Sequence, residues 1–199
     1  MPHSYGATHV TTQPIVLGDD VLASVGRLIR AFAEIEEIIT LFISALARIN
    51  QSQAVIVLGR AQLARKIAMA EQLATIAGGQ HLERYKACFN TAEFKDAHTC
   101  RNIMAHGILL GVDNEGMLAF LTDKTDAPEG SSTIQLVASY KPEAIAGWSK
   151  WAASNIVPIA TALGLPTWLK RHQPQALRPH RNGRIPKGSG GKSKTPPQS

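Results

Sequence analysis

The chain has 199 residues and a net charge of +6, with hydrophobic side chains at 44%, enough to bury one globular core. Its charge is unevenly placed. Eight of the 21 Lys/Arg lie in residues 170–199, which hold none of the 15 Asp/Glu, so residues 1–169 carry 13 basic and 15 acidic side chains, a balance of −2. The most apolar run, Ala31 to Ile49, carries Glu34, Glu36 and Glu37, which excludes a helical membrane span there.

Two cysteines, Cys88 and Cys100, fall in one expected helix about 18 Å apart by helical rise and cannot bridge each other. No disulfide framework is implied, and a reducing cytoplasmic setting is expected. The first residues lack a basic segment followed by an apolar core, so no signal peptide is expected.

Residues 1–18 mix Pro, Thr, Gly and His without a period and read as an irregular arm. Asp19 or Asp20 can cap the helix that follows. Leu28, Phe32, Ile35, Ile39, Phe42, Leu46 and Ile49 recur at steps of four and three, the seam of a long helix packed lengthwise. Glu37 falls on the polar face. Glu36 lies inside an apolar arc with Ile29, Phe32, Ile39 and Ile43, where a carboxylate needs a partner or a raised pKa. It either orients a basic group in a site or flanks the seam at the surface, and the surface is favoured because arc edges tolerate charge.

Asn50 and Ser52 can recap the chain before a second helix over 52–77, with Val55, Leu58, Leu63, Ile67, Ala70, Leu73 and Ile76 on its buried side. Arg60, Arg65 and Lys66 form a basic cluster along it, open to two readings: an RNA-phosphate contact, with Lys95 as a further one, or a solvated face. Gly78-Gly79 stops this helix. A third runs from about 80 to 106, with Leu82, Tyr85, Phe89, Cys100, Ile103 and Met104 on its apolar side. Near its end His98, Asn102 and His106 stack at i, i+4 and i+8 on one polar arc, and Arg101 projects to the side of that arc.

Gly107 and Gly111 release the chain, and Asp113-Asn114-Glu115-Gly116 is turn chemistry. Met117–Leu121 and Ile134–Tyr140 read as two strands of a hairpin placed at about 112–140. Pro142 opens a fourth helix to about 163, with Ile145, Trp148, Ala152, Ile156, Ile159 and Leu163 as its buried stripe and Pro158 as an expected kink. Trp168 and Leu169 are expected to pack back on the body. The fold expected over 19–169 is an all-α, up-and-down four-helix bundle with a small β-hairpin between the third and fourth helices. Residues 170–199, rich in Pro, Gly and basic side chains, read as a disordered tail, either bound to nucleic-acid phosphates or simply solvated.

The chemistry of Arg101, Asn102 and His106 points to a phosphodiester. Arginine offers a planar fork of donors to phosphate oxygens, and histidine can give or take a proton near neutrality. Clustered metal ligands, a phosphate loop and a nucleophile turn are missing from the sequence, so no metal and no cofactor is implied.

Arg101-Asn102-x-x-x-His106, at the end of the third helix of a four-helix unit, resembles the HEPN superfamily. The resemblance covers roughly residues 20–165. It implies a homodimer that brings two R-x4-6-H motifs into one cleft, with Arg101 and His106 as the catalytic pair and Asn102 as their polar companion. Glu36 and His98 would support them. The activity implied is metal-independent endoribonuclease action on RNA, in the setting of a toxin–antitoxin pair or phage defence, with an antitoxin or regulatory protein as further partner and no membrane. The alternative is a non-catalytic HEPN-like dimer that binds protein or nucleic acid, in which Arg101 is sealed against a carboxylate such as Glu36 and His106 only caps a helix end.

Overall fold

A computed structural model of the chain describes residues 15–123 and 135–165. The N-terminal arm up to residue 14, Trp168, Leu169 and the basic tail lie outside the described residues.

The first helix, α1 (Asp19–Ala47), forms as its spacing predicts. Gly18 is the residue at the N-cap, so Asp19 and Asp20 stabilise the positive helix end by charge and not by capping. Leu28, Phe32, Ile35, Ile39 and Phe42 are buried as expected, and Ile38 and Ile43 are buried with them. The buried arc is wider than a seam because α1 is the central helix of the protein, packed on by elements from both later parts of the chain.

The expected second helix is two helices. Asn50 caps α2 (Gln51–Leu58) by accepting from the Gln53 N–H at 3.0 Å, while the Gln53 side chain accepts from the Asn50 N–H at 2.8 Å. The chain then turns through Gly59–Gln62 into α3 (Leu63–Ala77). A Cβ at position 59 would stand 2.3 Å from the Val55 carbonyl oxygen, so only glycine allows this exit. Reading one helical phase through the turn misplaced two side chains: Val55 and Ile76 are 65% and 82% exposed, not buried.

The expected third helix is also two. Gly78 and Gly79, both at positive φ, separate α3 from α4 (Gly79–Phe89). After Asn90, Thr91 accepts from the Phe94 N–H at 3.1 Å and caps α5 (Ala92–His106). Cys88 and Cys100 therefore sit on different helices; both are buried free thiols.

The expected hairpin is a three-stranded antiparallel sheet in the order β1 (Ile108–Val112), β2 (Leu118–Asp123), β3 (Gln135–Tyr140). The first strand runs through the segment between Gly107 and Gly111, which the sequence alone presents as a release of the chain. Leu109 faces Phe120 and Gly111 faces Ala119, so Leu110 is an extra residue and Gly111, at φ 143, takes up the bulge. Asp113 closes the β1–β2 turn by accepting from the N–H groups of Glu115 and Met117 at 3.0 and 2.9 Å.

Pro142 opens α6 (Pro142–Ala162) at its first position, and its stripe packs along α1. Among the described residues the protein is thus mostly helical, six helices with one small sheet, and not four uninterrupted helices. No single helix among them is long and apolar enough to cross a membrane.

Candidate active site

The end of α5 is placed by its buried side. Phe94, Ala97, Cys100 and Ile103 turn inward, and Phe94 joins an aromatic cluster with Phe32 of α1, Phe89 of α4 and Trp151 of α6 at ring separations of 5.0–6.5 Å. That anchoring fixes α5 beside a cleft of about 510 Å³. Arg101, Asn102, His106, His98 and Glu36 all border it. The five side chains assigned to the catalytic and supporting groups therefore come together, although Glu36 is far from the rest in sequence.

Within the cleft, Arg101 Nη1 donates to Asn102 Oδ1 at 3.0 Å, and Asn102 Nδ2 lies 3.2 Å from His98 Nε2. The directions follow from the chemistry. A guanidinium has donors only, so Asn102 must turn its oxygen to Arg101 and its NH₂ to His98. His98 Nε2 must then accept, which assigns a neutral ring protonated on Nδ1. Burial, and secondarily the Arg101 charge, hold the His98 pKa below its ordinary value, in agreement with that assignment. The ring packs beside Phe32 and Phe94, with centroids 5.9 and 6.0 Å away, and those two rings are themselves 5.9 Å apart, so the three form a triangle.

Arg101 is thus oriented by an uncharged partner, a contact that leaves its positive charge uncancelled. Its Nε is buried with no hydrogen-bond partner among the described residues. His106, the last residue of α5, is exposed. The cleft accordingly presents an oriented cation and a solvent-accessible imidazole side by side, which suits binding an oxyanion and moving a proton next to it.

Of the two readings that its place on the wheel left open, the structure favours the pairing with a basic group over a surface position, but that group is Lys66 and not Arg101. Lys66 of α3 reaches it with Nζ 2.6 Å from Oε1, and the lysine side chain is only 7% exposed. Lys66 is therefore removed from the proposed phosphate-binding cluster: it is an internal counter-charge. Arg60, Arg65 and Lys95 are exposed, and none of the three borders the cleft.

Gln62, Leu63, Ala64, Ile103 and Thr122 complete the lining. Of these, the turn residues could have been found from Gly59-Arg60, a helix stop just ahead of Gln62. Thr122 carried no such sign, since only packing shows which strand end meets α5. Among the described residues no group of three or more His, Cys, Asp or Glu is placed to hold a metal ion. No family model, curated protein or solved structure matches the chain.

Proposed function

We propose that the protein is a HEPN-like, metal-independent endoribonuclease, with α2–α3 and α4–α5 as interrupted second and third helices of a four-helix unit. The supporting observation is the convergence of Arg101, Asn102, His98 and an exposed His106 on one cleft. In the reaction a base takes the 2′-hydroxyl proton, the O2′–P bond forms, the P–O5′ bond breaks and an acid protonates the leaving 5′ oxygen. The products are a 2′,3′-cyclic phosphate and a 5′-hydroxyl. Arg101 stabilises the charge that builds on the phosphorane oxygens. His106 serves as one proton-transfer group, and His106 of a second copy, related by a two-fold axis, supplies the other. A toxin or defence role follows from such an activity once it is unleashed on cellular RNA.

The test is degradation of RNA in EDTA by the full chain and by His106→Ala and Arg101→Ala. Loss of about 10²–10⁴-fold in rate in His106→Ala is expected, with cyclic phosphate ends and intact DNA. Cleavage that persists in both variants removes the proposal. RNA that is bound but left whole by the wild-type chain favours the non-catalytic binding module instead.

A further inference from the structure

We propose that His98 is a positioning residue: packed as a neutral ring against Phe32 and Phe94, it fixes the Asn102 amide and thereby aims the Arg101 guanidinium at a tetrahedral oxyanion. The proposal deepens the ribonuclease reading and rests on it for the identity of that anion as an RNA phosphodiester.

The chain of contacts has only one consistent polarity. Arg101 Nη1 donates to Asn102 Oδ1 at 3.0 Å and Asn102 Nδ2 donates to His98 Nε2 at 3.2 Å. A proton on Nε2 would set donor against donor. Turning the amide over to relieve that conflict would place Nδ2 against Nη1, which is again donor against donor. A charged His98 therefore breaks the chain at one contact or the other, and it also adds a like charge beside Arg101. The ring packs on Phe32 of α1 and on Phe94 one turn earlier in α5, with centroids 5.9 and 6.0 Å away, and these contacts limit its swing.

The consequence falls on the other edge of the guanidinium. With Nη1 committed to Asn102, Nε and Nη2 form the remaining fork, and Nε is buried without a hydrogen-bond partner among the described residues. An unpaired buried donor is costly, and an oxyanion in the cleft that draws the guanidinium outward until Nε and Nη2 bind it together would relieve it. The unmet donor is what points to a ligand at this place.

The titratable groups around His98 are few. From α1 comes Glu36, already bound to Lys66 of α3. From α5 come Arg101 and His106, which border the same cleft. From α4 and α6 the rings of Phe89 and Trp151 pack on Phe94, and β2 supplies Thr122, none of them titratable. His106 would itself charge as pH falls and draw anions in, so it must be silenced in the test.

The experiment uses the full chain and sulfate, a tetrahedral oxyanion that does not titrate near neutral pH. Long-range ¹⁵N–¹H spectra of the wild type read the His98 tautomer; sulfate titrations in a His106→Ala background follow the Arg101 Nε–Hε resonance. Nδ1-protonated, neutral His98 is expected, with sulfate affinity steady above the ordinary histidine pKa and lost as pH falls through the lowered one. His98→Phe keeps a ring against Phe32 and Phe94 but removes the acceptor; it should weaken sulfate binding roughly tenfold and abolish the acid-side loss. His98→Gln, which returns an acceptor oxygen near the former Nε2, should restore most of the affinity. An Nε2-protonated ring, or His98→Phe binding sulfate as tightly as the parent, overturns the proposal. If His98→Phe does not fold, the tautomer and the pH profile of the parent decide. Sulfate held in this way by a chain that leaves RNA intact ends the ribonuclease reading and leaves the positioning role standing.

Discussion

Lys66 Nζ lies 2.6 Å from Glu36 Oε1, so the carboxylate that borders the cleft is committed to a buried lysine and not to Arg101. This one pairing separates the charges of the site. The α1–α3 pair is an internal structural contact, and the Arg101 guanidinium is left to Asn102.

Breaking that pair should cost stability. Lys66→Ala leaves Glu36 without its counter-charge in a half-buried position, and about 2–3 kcal/mol of unfolding free energy should be lost, less than for a fully buried pair because Glu36 keeps contact with water. Replacing both, Glu36→Leu with Lys66→Met, should recover most of the loss, since two apolar side chains need no compensation. Urea unfolding of the three variants measures both effects. A single-variant loss below about 0.5 kcal/mol would show the pair to be a surface-like contact.

His106 offers the opposite profile. It is exposed at the end of α5, so His106→Ala should change unfolding free energy by no more than about 0.5 kcal/mol while it abolishes RNA cleavage. Thermal melts beside the cleavage assay separate a chemical role from a structural one.

Gly107, next to His106, is required by close approach. A Cβ there would stand 2.6 Å from the Ile103 carbonyl oxygen and 3.4 Å from that of Leu121, both backbone atoms. Gly107→Ala must push the start of β1 away from α5, at a cost of about 1–3 kcal/mol. Activity should fall with it, because the strain falls on the residue directly after His106; a variant with wild-type stability and rate would show the helix end to be more pliable than its packing implies.

The pH dependence of stability has a definite sign. The folded-state pKa of His98 is lowered, first by burial and then by Arg101, from an ordinary value of 6.5. Above that value the ring is neutral in both folded and unfolded chains and costs nothing. As pH falls below it, the unfolded chain takes up the proton first, so stability is lost until the lowered folded pKa is reached. His98→Phe should flatten this part of the stability–pH curve measured by urea unfolding between neutral and mildly acidic pH. A parallel loss in parent and variant would assign it to other groups.

The two thiols should be inert in the native protein. Burial pushes Cys88 up to about 11 and Cys100 up to about 12. At pH 8 the thiolate fraction is roughly one in a thousand or less, and the thiolate is the reactive form. Iodoacetamide should label neither in the folded chain and both after unfolding in urea. Rapid native labelling of Cys88 would mean that the α4–α6 region opens readily.

Helix α1 was legible from its apolar spacing alone, as was the stacking of His98, Asn102 and His106 on one helical face, because both follow from the 3.6-residue period of a single continuous segment. The turn at Asp113–Gly116 and the start of α6 at Pro142 were legible for a similar reason: each is set by the backbone preferences of two or three neighbouring residues. Periodicity carried less well across Gly59–Gln62 and Asn90–Thr91, where a break resets the phase and sends Val55 and Ile76 to the surface. Local chemistry thus determined that an arginine, an asparagine and a histidine share the end of a helix. Only the tertiary structure decided that Lys66 takes Glu36, that His98 packs as a neutral ring against Phe32 of a distant helix, and that Gln62 and Thr122 close the cleft around Arg101. Those outcomes depend on which distant segments pack together and exclude water, and burial, which sets both ion pairing and protonation, is a property of that packing and not of any stretch of chain.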